Sequence, residues 1–193
     1  PVKDDKNSLY NNNIGTICGD KQGHIYIRCK YAVVEYDIKK NTFHTIRDND
    51  IQAISYGNTQ LWVCTRDSLF TYNRVEDKLD YYYNLEGARM SCVIEDSDGN
   101  LYVGTMNNGL YMIDGNKKWL NYLPKKDITC IYEDSKKSIW VGTKDDGLFR
   151  LDRNGGITNY GTAPHQNMLS SSYVRCIVED NLGNYWIGTF KGL

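Results

Sequence analysis

Leu9, Ile46, Leu85, Leu123 and Leu169 each stand five residues before a second apolar residue: Ile14, Ile51, Met90, Ile128 and Val174. Three residues further on comes a third, Ile17, Ile54, Val93, Ile131 and Ile177. Five matches in five at fixed offsets make this a repeat, and a repeat narrows the architectures open to a chain before any other property is weighed. A second register runs alongside it: IYIRC (25–29), LWVCT (61–65), LYVGT (101–105), IWVGT (139–143) and YWIGT (185–189). The aromatic anchors Tyr26, Trp62, Tyr102, Trp140 and Trp186 are 36, 40, 38 and 46 residues apart.

Each copy reads as four short strands. In the third, ARMSCVIED is the first strand, SDGN a hairpin turn with Gly99 at positive φ, and LYVGT the second strand. MNNG is a further tight turn, LYMID a third strand and KKWLNY a fourth. The fourth copy gives CIYED, SKKS, IWVGT, KDDG, LFRLD and GGITNY in the same order. Four antiparallel strands at a period near 40 residues predict a β-propeller blade. The expected fold is therefore all-β: about five four-stranded antiparallel blades in one partial propeller domain, 1–193. The blades fall at 9–46, 47–84, 85–122, 123–160 and 169–193, the last incomplete. A single blade cannot bury both faces, so neighbours must stack. The anchor aromatics are expected to wedge between blades. Gly104, Gly142 and Gly188, two positions beyond an anchor, would admit a neighbouring sheet closely. Arg28 and Cys64 hold that place in the first two copies, so those blades should pack differently.

The glycines of SIWVGTKDDGLF do not make a phosphate loop. Such a loop opens a helix and ends in Lys-Ser/Thr, whereas this stretch lies between strands and repeats. The six Cys show no metal-ligand spacing, and the three His (His24, His44, His165) are far apart. Cys92, Cys130 and Cys176 each precede an anchor by ten residues, which predicts a small buried residue at one strand position. The pairs Glu95-Asp96, Glu133-Asp134 and Glu179-Asp180 suggest acid–base work at first sight. They recur before a turn in every well-formed copy, where Asp caps local amides, and so read as structural.

Charge is balanced, 23 Lys+Arg against 24 Asp+Glu, and no clustered basic excess predicts nucleic-acid contact. No run reaches the roughly 18 apolar residues of a membrane span, and PVKDDKNSLY lacks the apolar segment of a signal peptide. No nucleic-acid or membrane contact is expected through this domain.

The apolar-x-x-apolar lead, the ED pair, the G-N turn, the W-[VI]-G-T strand and the G-L start of the next strand together resemble a known family. CVIEDSDGNLYVGTMNNGLYMID (92–114), CIYEDSKKSIWVGTKDDGLFRLD (130–152) and CIVEDNLGNYWIGTFKGL (176–193) are similar to the regulator-propeller repeats in sensor regions of hybrid two-component systems of Bacteroides-type bacteria. The first two copies depart from it, with Arg-Cys for Gly-Thr in one and no ED pair in the other. The resemblance implies a periplasmic, non-catalytic sensing region, in a ring of about seven blades, belonging to a protein whose histidine kinase lies elsewhere. It further implies response to glycan fragments and control of polysaccharide-utilisation genes. The last copy stops at the start of its third strand, at Lys191-Gly192-Leu193, so the remaining blades or a second copy of the chain are expected to cover the open faces.

In propellers the loops joining second to third strands, with the linkers between blades, share one face. Here they carry Arg28, Lys30, Tyr31, Arg66, Asp67, Asn107, Asn108, Lys144, Asp145 and Lys191, and the linkers add Arg47, Asp48, Arg89, Lys125 and Lys126. The insertion GTAPHQNMLSSSY (161–173) accounts for the 46-residue spacing and adds His165, Gln166, Asn167 and Tyr173. Planar polar groups beside aromatic faces suit an oligosaccharide, and the cations suit an anionic one; each residue also fits a plain solvated turn. Neither cofactor nor metal is expected. Two alternatives stay open: a protein-interaction scaffold, and a metal-dependent propeller lyase, which would need His or carboxylates where the inner strands carry Cys, Ile, Val and Ala.

Overall fold

The structure is a computed structural model that describes residues 8–9, 11–47, 49–161 and 169–193. All regular structure among them is β. The first sheet runs β1 (Ile14–Gly19), β2 (His24–Cys29), β3 (Ala32–Asp37), β4 (Thr42–Arg47). The second runs β5 (Ala53–Tyr56), β6 (Leu61–Cys64), β7 (Ser68–Asn73), β8 (Lys78–Asn84). The third comprises β9 (Met90–Glu95), β10 (Leu101–Thr105), β11 (Leu110–Ile113) and β12 (Trp119–Tyr122). The fourth comprises β13 (Ile128–Glu133), β14 (Ile139–Thr143), β15 (Leu148–Leu151) and β16 (Ile157–Tyr160). The fifth has two strands, β17 (Val174–Glu179) and β18 (Tyr185–Thr189). Neighbours in sequence are neighbours in the sheet, so every sheet is an antiparallel meander, the strand plan of a propeller blade. The chain divides into two compact units, residues 1–95 and 96–193.

In the second, third and fourth blades burial falls from the second strand to the fourth. Every residue of β6 and β14 is buried, whereas β16 is exposed throughout and β12 nearly so. A strand covered on both faces carries a continuous apolar run rather than an alternating one, and LWVC and IWVGT are such runs. In the first unit, Tyr26 and Val33 pack with Ile51, Ile54, Leu61, Val63 and Tyr72, so the core lies between the first and second sheets. In the second unit Trp140 and Leu148 pack with Val174 and Ile177, between the fourth and fifth. Each such side chain contributes roughly 1.5–3 kcal/mol by leaving water. Two of the anchors, Tyr26 and Trp140, pack on the next sheet as expected, whereas Tyr102 is half-buried. Tyr26 stacks on Tyr56 at 5.8 Å, and the Trp140 ring lies 4.7 Å from that of Tyr185. Trp186 departs from that expectation: it is 51% exposed, because no described sheet covers its face of β18.

The small-residue positions obey a volume rule across the first two strands. Cys130 pairs with Gly142 and Cys176 with Gly188. A Cβ on Gly142 would sit 2.5 Å from Cys130 Sγ and 2.8 Å from Val174 Cγ1 of the next blade. In the second blade the sizes are exchanged: Cys64 faces Ala53. In the first, Arg28 faces Thr16 and lies over Gly15, leaving no room there for a side chain. This is how the two divergent copies pack differently. The expectation of buried cysteines needs correction for the repeat set. Cys92 and Cys130 are half-buried and Cys176 is exposed, whereas Cys29 and Cys64, outside that register, are fully buried. A cysteine on the first strand is covered only as far as the next blade reaches over it. Burial pushes the Cys64 thiol far up and that of Cys130 to about 12, so both behave as apolar groups.

The aspartates of the Glu-Asp pairs are turn caps. Asp96 Oδ1 accepts the amides of Asp98 (2.9 Å) and Asn100 (2.8 Å), and Asp134 Oδ1 those of Lys136 (2.9 Å) and Ser138 (2.7 Å). Asp180 does the same for Leu182 and Asn184, both at 2.9 Å. The other oxygen of Asp134 accepts the Trp140 indole N–H, and that of Asp180 the Trp186 indole N–H, tying turn to anchor.

Candidate functional site

A meander places the turns between second and third strands, and the linkers that enter the next blade, at one end of the strands. Backbone hydrogen bonds then tie turn to linker. In the first unit the Ile51 amide donates to the Tyr31 carbonyl (3.0 Å), Leu85 to Asp67 (2.8 Å) and Met90 to Arg66 (2.8 Å). In the second unit Gly109 donates to Lys126 (3.1 Å), Lys144 to Asp127 (3.0 Å) and Phe190 to Tyr173 (2.9 Å). These backbone ties make each loop edge a fixed platform rather than a set of free loops.

On the first unit's edge the exposed side chains of Lys30, Arg66 and Arg89 stand on the β2–β3, β6–β7 and β8–β9 connections. Lys30 lies over the Tyr31 ring at 5.3 Å. Arg28 is drawn inward: its guanidinium donates to the Lys30 carbonyl at 2.8 Å, and its Nε is buried. Arg47 packs over Phe70 at 5.3 Å and donates to Asn49. On the second unit's edge Asp127 organises the linker, accepting the Asn107 amide at 2.5 Å. The Asn108 carbonyl accepts from Asn121 Nδ2, and Lys126 pairs with Asp146 at 2.5 Å. Lys144 and Asp145 are exposed. Asp48, His165, Gln166 and Asn167 lie outside the described residues.

Tyr173 is the predicted residue with the most distinctive surroundings. Its ring stacks on Phe190, centroids 5.9 Å apart and planes 4° from parallel. The Arg175 guanidinium lies 5.4 Å from the Tyr173 centroid and 5.8 Å from that of Phe190. Phe190 is exposed, so an aromatic face with a cation beside it points to solvent. Sequence reasoning missed Arg175 and Phe190. Phe190 occupies the turn after the second strand, a place that Lys30, Arg66, Met106 and Lys144 hold in the other copies, so it is the one aromatic in that set. Arg175 lies on a strand, where nothing in the pattern marks it as outward-facing.

The first unit also holds a polar cleft of about 530 Å³ at the hairpin end of its strands, and none of the predicted residues lines it. Arg74, from the β7–β8 turn, makes a bidentate pair with Glu35 on β3, NH2 to Oε1 2.9 Å and Nε to Oε2 3.2 Å. Glu35 is 5% exposed, so this pairing gives a buried carboxylate the hydrogen-bonded partner that burial demands. The same contact raises the Arg74 pKa. Asp37 caps the amides of Lys40 and Lys39 and is held at about 2, chiefly by the Lys40 bonds. Asp77 accepts His44 Nε2 and the Tyr72 hydroxyl, each at 2.8 Å. The charged groups here satisfy one another. Among the described residues no three His, Cys, Asp or Glu converge as metal ligands.

Residues 84–107, 122–145 and 168–191 match the family described as two component regulator propeller. The two divergent copies lie outside those matches. No curated protein matches the chain in sequence. Among solved structures it is similar to the extracellular domain of the hybrid two component system BT3049 from B. thetaiotaomicron: 21% identity, TM-score 0.63, over 100% of this chain and 34% of that one. It is also similar to the extracellular domain of the hybrid two component system BT4673 from the same organism: 16% identity, TM-score 0.76, over 93% and 26%. Virginiamycin B lyase from Staphylococcus aureus shares the fold at 12% identity and TM-score 0.76, over 93% and 64%. The chain thus spans about a third of the first of these structures and about a quarter of the second. These likenesses establish a β-propeller fold.

Proposed function

From a chain with regulator-propeller matches in three blades, we propose a non-catalytic, extracytoplasmic sensor propeller of a hybrid two-component receptor, reading oligosaccharide at its loop edge. The Tyr173–Phe190–Arg175 group carries this reading. An exposed aromatic face accepts the apolar face of a pyranose, and a guanidinium held beside it donates to hydroxyls or a carboxylate. The repeats and the extracellular two-component neighbours support the same class. Because turns and linkers are bonded to one another, ligand held across them biases how adjacent blades pack. That bias is what a receptor can pass on as a population shift. The remaining blades or a second copy of the chain complete the assembly, and polysaccharide-utilisation genes are the expected output.

Titration of the chain with a panel of neutral and acidic oligosaccharides, followed by calorimetry, tests the reading. At least one glycan should bind, and Phe190→Ala and Arg175→Ala should each weaken it about tenfold, or about 1.4 kcal/mol, without changing the unfolding midpoint. Binding of no glycan, or binding indifferent to both substitutions, would favour a protein-interaction scaffold instead.

A further inference from the structure

At the hairpin end of the strands in the second unit, a cleft of about 250 Å³ lies between β10–β12 and the β15–β16 hairpin. Tyr102, Tyr122, Met112, Ile139 and Leu151 supply an aromatic and aliphatic lining. Its two cations converge on Asp98, whose Oδ1 accepts from Lys137 Nζ and whose Oδ2 accepts from Arg153 NH2 at 3.3 Å, while Asp96, Asn100 and Asp152 complete the polar lining. Two cations from different hairpins therefore converge on the span of a single carboxylate. Asp98 itself sits on an exposed turn with half its side chain in solvent.

The backbone marks the same spot. Lys137 has φ +62°, at the turn position where the copies before and after it have Gly99 (φ +86°) and Gly183 (φ +81°). Glycine adopts that conformation without steric cost and lysine does not. The chain thus places a cation at this lip against the local backbone preference. Meanwhile the cleft, at about 250 Å³, has room for a six-membered ring. Aromatic and aliphatic lining with a few convergent polar groups is the usual make-up of a small-molecule site.

We propose that this cleft binds a small six-membered ring bearing one carboxylate, a sugar acid or an aromatic acid. The ring lies against Tyr102 and Tyr122, and its carboxylate takes the place of Asp98 on Lys137 and Arg153. Asp98 is then an internal stand-in for the ligand, closing the site when it is empty. A sugar acid has a further use for the cleft, because its hydroxyls can meet the Asn100 carboxamide and the Asp152 carboxylate in the lining. The site is at the opposite strand end from the loop edge and does not rest on the reading given there.

Calorimetric titration with glucuronate, benzoate and the methyl ester of glucuronate, at one fixed salt concentration, tests it. Asp98→Asn should tighten binding of at least one of the two acids by tenfold or more over the unsubstituted chain. The pair Lys137→Gly with Arg153→Gln should abolish that binding. Glycine suits the turn, so the unfolding midpoint of this variant should stay the same or rise, which keeps a lost site distinct from a lost fold. Tighter binding of glucuronate identifies a sugar acid as the ligand and tighter binding of benzoate an aromatic acid; either supports the proposal. Failure of both acids to bind the Asp98→Asn variant overturns it. So does binding that survives removal of both cations, or an ester that binds as tightly as the acid. Phe190→Ala and Arg175→Ala leave this cleft intact, so failure here and failure at the loop edge are separable.

Discussion

Glu133 holds the turn that begins at Ser97 in the preceding copy: Oε2 accepts the Ser97 amide and Oε1 its hydroxyl, each at 2.8 Å. Glu179 takes Ser135 in the same way, at 2.7 and 2.8 Å, and Glu95 takes the Asn58 amide and carboxamide at 3.1 and 3.2 Å. Each Glu-Asp pair thus serves two copies. Its aspartate caps the turn of its own blade, and its glutamate caps the turn of the blade before. The pair is a joint between neighbours, which is why both carboxylates recur.

Glu133→Ala should destabilise the second unit by about 1 kcal/mol, the scale of a partly exposed charge-assisted bond. Urea unfolding of Glu133→Ala, Ser97→Ala and the double variant measures it. A coupling of roughly 0.5–1 kcal/mol is expected between the two sites, and additive effects would show that the joint carries no energy.

Acid should loosen the turns. Bonds from the Asn184 amide and the Trp186 indole hold the Asp180 carboxyl at about 2. Burial alone would raise that of Asp134, yet the Trp140, Ser138, Tyr185 and Lys136 donors outweigh it and leave it lowered. Both titrate below the roughly 3.9 of an unfolded aspartate, so the unfolded chain takes up protons first. Their contribution is complete above that value and is lost as pH falls through each lowered pKa, for Asp180 at about 2. Unfolding midpoints between pH 5 and 2 (roughly, spanning both values) should fall steadily, and Asp180→Asn should flatten that slope.

Gly142→Ala should cost about 1–3 kcal/mol through overpacking, since the new methyl meets Cys130 Sγ and Val174 Cγ1 at once. Adding Cys130→Ala should recover part of the loss by removing one of the two clashes. Thermal unfolding of the single and double variants would show it, and a Gly142→Ala protein as stable as the parent would remove the volume rule.

Arg74→Ala leaves the Glu35 carboxylate buried without its partner. The expected loss is about 2 kcal/mol, below that of a fully buried pair because the Arg74 side chain is 45% exposed. Glu35→Gln in the same background should restore stability, since the stranded charge is then gone. Denaturant midpoints of the two variants decide the matter.

The repeated apolar lattice placed the strands. Met90, Ile128 and Val174 are buried as the pattern requires, because a side chain recurring at a blade period must meet the same surface in every copy. Ile14 and Ile17 hold the same motif positions and are 44% and 60% exposed. These positions face the preceding blade, and no described sheet precedes the first. Burial in this chain is therefore a property of the neighbour, which a motif cannot state. The loop-edge residues were readable for a similar reason: a meander fixes which connections share an end.

What the sequence determined alone was the local plan: four short strands to a copy, an aspartate at the first turn of four of the five copies, a small residue where two strands and the next sheet crowd together. These follow from interactions within some ten residues, so composition and spacing carry them. What only the tertiary structure decided was every partnership between copies: Glu133 on Ser97, Arg74 on Glu35, and Lys137 with Arg153 on Asp98. Their partners are 36, 39, 39 and 55 residues apart. Whether such groups meet depends on the angle and separation between packed sheets, and those are set by the summed volumes of the core side chains rather than by any one motif.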